Sequence, residues 1–163
     1  MRAIVDAGPL IHLSWIDQLD LLHELFDEGF LPPAVQAEVL GTPVGTPGLD
    51  QIIRGLEDGW LIVKKLSPQA RQEAGSMPLD RGESEALALA GETEVDVFVS
   101  DDTEARSRGE ASGLEVTGTV GILIFARERK IIPAVLPLLL RLRAEGQWLS
   151  DEVIRIVESQ EAR

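Results

Sequence analysis

The chain contains no cysteine and only two histidines, His12 and His23. A disulfide framework, a thiolate nucleophile and a thiolate metal site are therefore excluded, and two histidines are too few for a multi-histidine zinc site. Any metal chemistry has to use oxygen ligands. A membrane-spanning run is missing too. The longest strongly apolar stretch, Ile131 to Leu140, falls short of the roughly 20 residues a span needs and is broken by Pro133 and Pro137. Met1 to Asp6 reaches an acid before any long apolar segment, which does not read as a signal peptide, so a cytoplasmic protein without membrane association is expected. Positive charge is scarce: 15 Lys and Arg against 28 Asp and Glu give a formal charge of −13. Such a balance opposes tight nonspecific binding to phosphate unless cations or a basic partner neutralise some carboxylates.

What is present is a regular alternation of short apolar runs and helical patterns. The 163 residues fit one domain, 1–163, with closing helices from about residue 120 packed on it. Strands are expected at Ala3 to Val5, Phe30 to Leu31, Trp60 to Leu66, Val95 to Ser100 and Leu114 to Val116. Helical patterns separate them: after Gly8-Pro9 through Trp15, around Leu21 to Phe26 with Asp17 as cap, Pro33 to Leu40, Leu49 to Leu56, Ser67 to Gly75, Asp80 to Ala90 and Thr103 to about Ser112. Three helices close the chain, near Val120 to Glu128, Ala134 to Ala144 and Asp151 to Ser159, the last capped by Ser150. Residues 41–48, rich in Gly, Pro and Thr, read as a mobile loop. Strands regularly separated by helices predict an α/β fold, a central parallel sheet flanked by helices, because parallel neighbours need crossover connections.

The functional signal is the placement of acids. Asp6 and the pair Asp101-Asp102 each follow an apolar strand, at the sheet edge where open α/β folds bind ligands. Taken alone, Asp6 is equally well explained as a turn former or helix cap. Glu38 projects between Ala34 and Val35 of its helix, where a carboxylate needs a partner; a buried salt bridge is the alternative to metal ligation. Asp80 and Glu83 have the spacing of a capping box, which gives Glu83 a structural role. Glu85 has none and opens the all-apolar run Ala86 to Ala90, so it is the better ligand candidate, with Glu83 and Asp101 secondary. Asp102 can also cap the following helix or pair with Arg106. Four acids at one edge repel one another, a cost tolerated where cations sit. Hard oxygen ligation points to Mg²⁺ or Mn²⁺, and their usual work beside paired carboxylates is phosphodiester hydrolysis.

Four segments occur in the order seen in PIN domains: Ile4-Val5-Asp6-Ala7-Gly8-Pro9, Pro32 to Val39 around Glu38, Leu79 to Ala90 around Glu85, and Val97 to Asp102. The chain resembles that family over nearly its whole length, and within it the VapC-toxin-like branch often called DUF3368. The resemblance implies a PIN-like, Rossmann-like domain and a divalent-metal-dependent endoribonuclease of the toxin–antitoxin type. It implies Asp6, Glu38, Glu85 and Asp102 as catalytic metal ligands, Mg²⁺ or Mn²⁺ as cofactor, RNA as substrate, a cognate antitoxin and a homodimer as partners. The alternative is a catalytically weak or inactive PIN-fold module that binds proteins. A dehalogenase-type site would need a second Asp two residues after Asp6, and a receiver domain would carry its acidic pair after the first strand; neither is found.

Other residues have structural explanations. His12 is expected to be a satisfied, buried histidine, not a base. Thr117 and Thr119 are helix-capping candidates with water orientation as the alternative. Trp15, Trp60 and Trp148 read as packing or interface residues, lacking the basic surround of a base-stacking platform. Phosphate contacts fall to Arg127, Arg129, Lys130, Arg141 and Arg143, which a solvated helix face explains equally well.

Overall fold

Three β-branched or small apolar residues in succession, Ala3, Ile4 and Val5, can be buried on both faces only in a sheet covered on both sides. In the computed structural model, which describes residues 1–163, they form β1 (Arg2–Val5), and all three are fully buried. Four further strands follow: β2 (Glu28–Leu31), β3 (Leu61–Val63), β4 (Val97–Val99) and β5 (Val116–Thr117). All pairings are parallel and the spatial order is β3-β2-β1-β4-β5. The chain starts at the centre, winds outward through β2 and β3, then returns to lay β4 on the other side of β1. The connection therefore reverses direction between β1 and β4, and a crevice opens there at the carboxyl ends of the strands.

Between β1 and β2 lie α1 (Ala7–Trp15) and α2 (Asp20–Leu25); α3 (Pro33–Leu40) and α4 (Leu49–Asp58) precede β3. After β3 come α5 (Pro68–Ser76) and α6 (Arg81–Glu92), then β4, α7 (Thr103–Ala111) and β5. The chain closes with α8 (Thr119–Glu128), α9 (Leu136–Glu145) and α10 (Asp151–Glu161). No helix is long and apolar enough to cross a membrane. The Ala86 to Ala90 stretch of α6 is buried all round, as its composition predicts, and Ser150 caps α10 through the Val153 N–H.

The differences from the sequence reading have local causes. The strand expected over Trp60 to Leu66 is limited to Leu61–Val63, because β3 pairs only with β2 while Trp60 stacks on His23 with centroids 5.1 Å apart. The strand expected over Val95 to Ser100 narrows to Val97–Val99, and the one expected over Leu114 to Val116 shifts to Val116–Thr117, where Val116 and Thr117 register against Phe98 and Val99; Thr117 is thus a strand residue, not a helix cap. Asp17 does not cap α2: it sits at φ 56°, in the left-handed region, and its carboxylate accepts from Gln51 and Arg141. The segment 41–48 is a run of turns, and at its end Gly48 lies at φ 85° against Ser14.

Candidate functional site

The strand order brings the end of β1 beside the end of β4, and the acids that follow them meet at the crevice. Asp6 leaves β1 with its own N–H bonded to the Val99 carbonyl of β4 (2.9 Å), then caps α1 by accepting from the Ala7 N–H (2.8 Å). Its second oxygen accepts from the Ser100 hydroxyl (2.9 Å), and the same hydroxyl oxygen accepts from the Asp102 N–H (3.2 Å). Ser100 is fully buried and fixes both acids. Nothing in composition singles it out; its position as the last residue of the β4 run, directly before two acids, is the signal available.

Asp6 is almost completely buried, and loss of solvation pushes its pKa up to about 6, against hydrogen bonds from Ala7 and Ser100 and with the charges of Asp80 and Glu38 adding to the rise. Glu83 is driven further, to about 7, first by burial and then by Asp80, Asp102 and Asp6. Glu38 is raised as well, by partial desolvation and by Asp80. These mutual effects identify the carboxylates that share one region: Asp6, Glu38, Asp80, Glu83 and Asp102. Gly82 leaves room for one of them, since a Cβ there would stand 2.8 Å from a Glu38 carboxylate oxygen.

Two of the sequence assignments change. Glu85 does not face this group. Two residues along a helix turn the side chain about 200°, so Glu85 points instead at α3, where it accepts from the otherwise unpaired Ala34 N–H (3.0 Å) and pairs with Arg81 (3.3 Å). Glu83, and not Glu85, lies within reach of the charges of Asp80, Asp102 and Asp6, and it completes the capping box with Asp80 as well. Glu38 is not on an apolar face: it is exposed, and it reaches the group from the rim. Asp80, which was read only as a cap, contributes charge to the site.

The pair Asp101-Asp102 divides into two roles. Asp102 caps α7 through the Ala105 N–H (2.7 Å), leaving its other oxygen free of protein hydrogen bonds. Asp101 turns away and caps α8 from outside, accepting from the Thr119 N–H (2.7 Å) and hydroxyl (2.5 Å) and from His12 Nδ1 (2.7 Å). Burial alone would raise Asp101, but the bonds from His12 and Thr119 prevail and lower its pKa. An ionised Asp101 can only accept, so His12 donates from Nδ1. His12 is thus the satisfied histidine expected, and Thr119 serves α8 through Asp101. Arg106 bonds the Ser100 carbonyl (3.2 Å) and not Asp102.

The proposed phosphate contacts are largely committed elsewhere. Arg127 pairs with Glu161, Arg141 with Asp17, and Arg143 with Asp151, while Arg129 lies over Phe125. No three His, Asp or Glu side chains are grouped closely enough to hold an ion between them as they stand. The donor chemistry of the crevice is nonetheless all-oxygen, and the repulsion recorded by Asp6 and Glu83 is what a hard cation relieves.

Comparison with known proteins agrees with this architecture. A PilT N-terminus domain protein, SSO1118, from the hyperthermophilic archaeon Sulfolobus solfataricus P2 has a similar fold, with a TM-score of 0.58 at 15% identity, covering 77% of this chain and 93% of that one. No curated protein matches. The family model described as DUF3368, a PIN domain, matches residues 2–161, and the chain belongs to that PIN-domain family.

Proposed function

We propose that the protein is a divalent-metal-dependent endoribonuclease whose working carboxylates are Asp6, Glu38, Glu83 and Asp102. PIN domains are typically nucleases, and one observation supports this reading here above the others. Carboxylates that follow β1 and β4 and that belong to α3 and α6 gather at the crevice, and Asp6, Glu38 and Glu83 are raised there first by burial and then by the charge of neighbouring carboxylates. A bound Mg²⁺ or Mn²⁺ supplies charge stabilisation at a phosphate and activation of a water nucleophile. The chain's own contribution is positioning: Ser100 holds Asp6 and Asp102 in register, and Gly82 gives Glu38 its approach. With pKa values of about 6 and about 7, Asp6 and Glu83 hold protons in mildly acidic solution when no cation is present, and a cation competes with those protons for the same oxygens. A cognate antitoxin, a toxin–antitoxin role and a dimer belong to the same proposal and rest on the family resemblance alone.

A binding-module reading has an observation of its own: no three carboxylates close on a common point, and Asp6 and Asp102 each spend an oxygen on a helix cap. The two readings separate in one assay, cleavage of a mixed set of structured RNAs with Mn²⁺ by wild type and Asp6→Asn. Removing a ligand without removing volume should cost several kcal/mol of barrier, on the order of a thousandfold in rate, with an unchanged circular dichroism spectrum. Equal activity in the two preparations would point to a contaminant, and absence of activity in wild type with metal bound would favour the binding module.

A further inference from the structure

A second cleft lies between α7, β5, the start of α8 and the turn joining α9 to α10, and Asp101, the neighbour of Asp102 in the chain, is part of its lining. Thr103, Arg106, Thr117, Gln147 and Trp148 line it. Two of these side chains, Trp148 and Gln147, are in states that the folded chain alone does not account for, and a third, Arg106, has charge to spare. Trp148 is 84% exposed, whereas Trp60 is 7% exposed and stacked. Of the packing or interface roles expected for the three tryptophans, packing within the chain does not apply to Trp148. Gln147 Oε1 is shut off from solvent without a hydrogen-bond donor, a deficit that ordinarily costs a protein stability. Arg106 gives one N–H to the Ser100 carbonyl and forms no ion pair, which leaves the rest of its guanidinium available at the cleft.

We infer that this cleft is the subsite for one unpaired nucleotide of the RNA, next to the phosphate held at the crevice. The base stacks on the Trp148 indole, a rotation of the Gln147 side chain brings Oε1 to an amino group on the base edge, and Arg106 faces the connecting phosphate. The inference rests on the ribonuclease reading and supplies what that reading lacks. A chain of net charge −13, with half of its twelve arginines held in ion pairs, gains little affinity from phosphate contacts alone. Stacking on an aromatic platform is indifferent to net charge and tolerant of sequence, and it selects single-stranded RNA because only unpaired bases offer a free face. The lining is polar and carries a single exposed ring, which suits a base better than the apolar side chains of a docking helix.

The test uses the full chain carrying Asp6→Asn, so that RNA is bound and not cut, with Mn²⁺ present. Fluorescence anisotropy with a 5′-labelled, mixed-sequence RNA hexamer gives Kd, and an abasic oligomer of the same length serves as control. Trp148→Ala should weaken binding of the hexamer about tenfold, Trp148→Phe should recover most of that loss, and neither should change the salt dependence or the binding of the abasic oligomer. Because Trp148 is exposed, both variants should keep the parent melting temperature. Unchanged Kd for Trp148→Ala, or an equal loss with the abasic oligomer, overturns the subsite. If in addition the protein with Asp6 intact cleaves RNA, the ribonuclease reading stands without it. If no preparation binds or cleaves RNA, both readings fall together.

Discussion

Two glutamates two positions apart have opposite duties, and single substitutions separate them. Glu83→Gln removes a charge that Asp6 and Asp102 oppose, so it should abolish the response to Mn²⁺ and RNA cleavage while leaving the metal-free protein as stable or more so. Glu85→Ala should do the reverse. It strips the acceptor from the Ala34 N–H in the first turn of α3, costing about 1–2 kcal/mol in a urea titration, with cleavage retained. If Glu85→Ala silenced the enzyme and Glu83→Gln did not, the ligand assignment made here would be wrong. Asp101 is the purely structural member of the set. Asp101→Ala orphans the Thr119 N–H and hydroxyl and the His12 ring, and should destabilise by about 3 kcal/mol or more.

The helices act as brackets for these residues, and the two glycines that let them approach are testable. At Gly82, in the first turn of α6, an added Cβ would stand 2.8 Å from Glu38 Oε2, the mobile end of a side chain. Gly82→Ala should therefore keep or slightly raise thermal stability, by up to about 1 kcal/mol, since alanine is the better helix former. It should also weaken Mn²⁺ binding by pushing Glu38 off the rim, as calorimetric titration would report. Gly48 gives the opposite case. Its φ of 85° and the approach of the Ser14 side chain and backbone leave no room for a side chain, so Gly48→Ala should cost about 2 kcal/mol or more.

For the molecule as a whole, the crowded carboxylates set the pH dependence of stability. Asp6 rises from 3.8 to about 6 and Glu83 from 4.5 to about 7 on folding. A carboxyl raised by folding stabilises when protonated, so its contribution is complete below the unfolded value and is lost as pH rises through the folded one. The metal-free protein should lose melting temperature between about pH 4 and pH 7.5, with almost fully buried Asp6 accounting for about 3 kcal/mol. Asp101 works in the other direction: its lowered pKa adds stability above the ordinary carboxylate range that disappears on acidification. Mn²⁺ should raise the melting temperature more at pH 8 than at pH 5.5, because protons and cation compete for the same oxygens. A melting temperature of the metal-free protein that does not fall across that range would contradict raised carboxyls at the crevice.

Local chemistry was legible in the sequence wherever a residue's neighbours along the chain decide its state. The apolar run of β1, the Asp80–Glu83 capping box, the Ser150 cap and the all-round burial of Ala86 to Ala90 follow from spacing alone. So does the parallel α/β arrangement, because strands separated by helices admit few other packings. The identity of the acids that face one another did not follow. On spacing alone a capping role removes Glu83 from the site and an unexplained charge puts Glu85 in it, but the deciding partners are the α3 N-terminus, about fifty residues earlier in the chain, and the ends of β1 and β4. The same holds for Asp101 and Asp102, adjacent in sequence yet capping different helices, for Ser100 between two acids, and for the arginines that pair with distant carboxylates. Periodicity fixes the direction in which a side chain leaves its element; only the packing of elements fixes what it meets there.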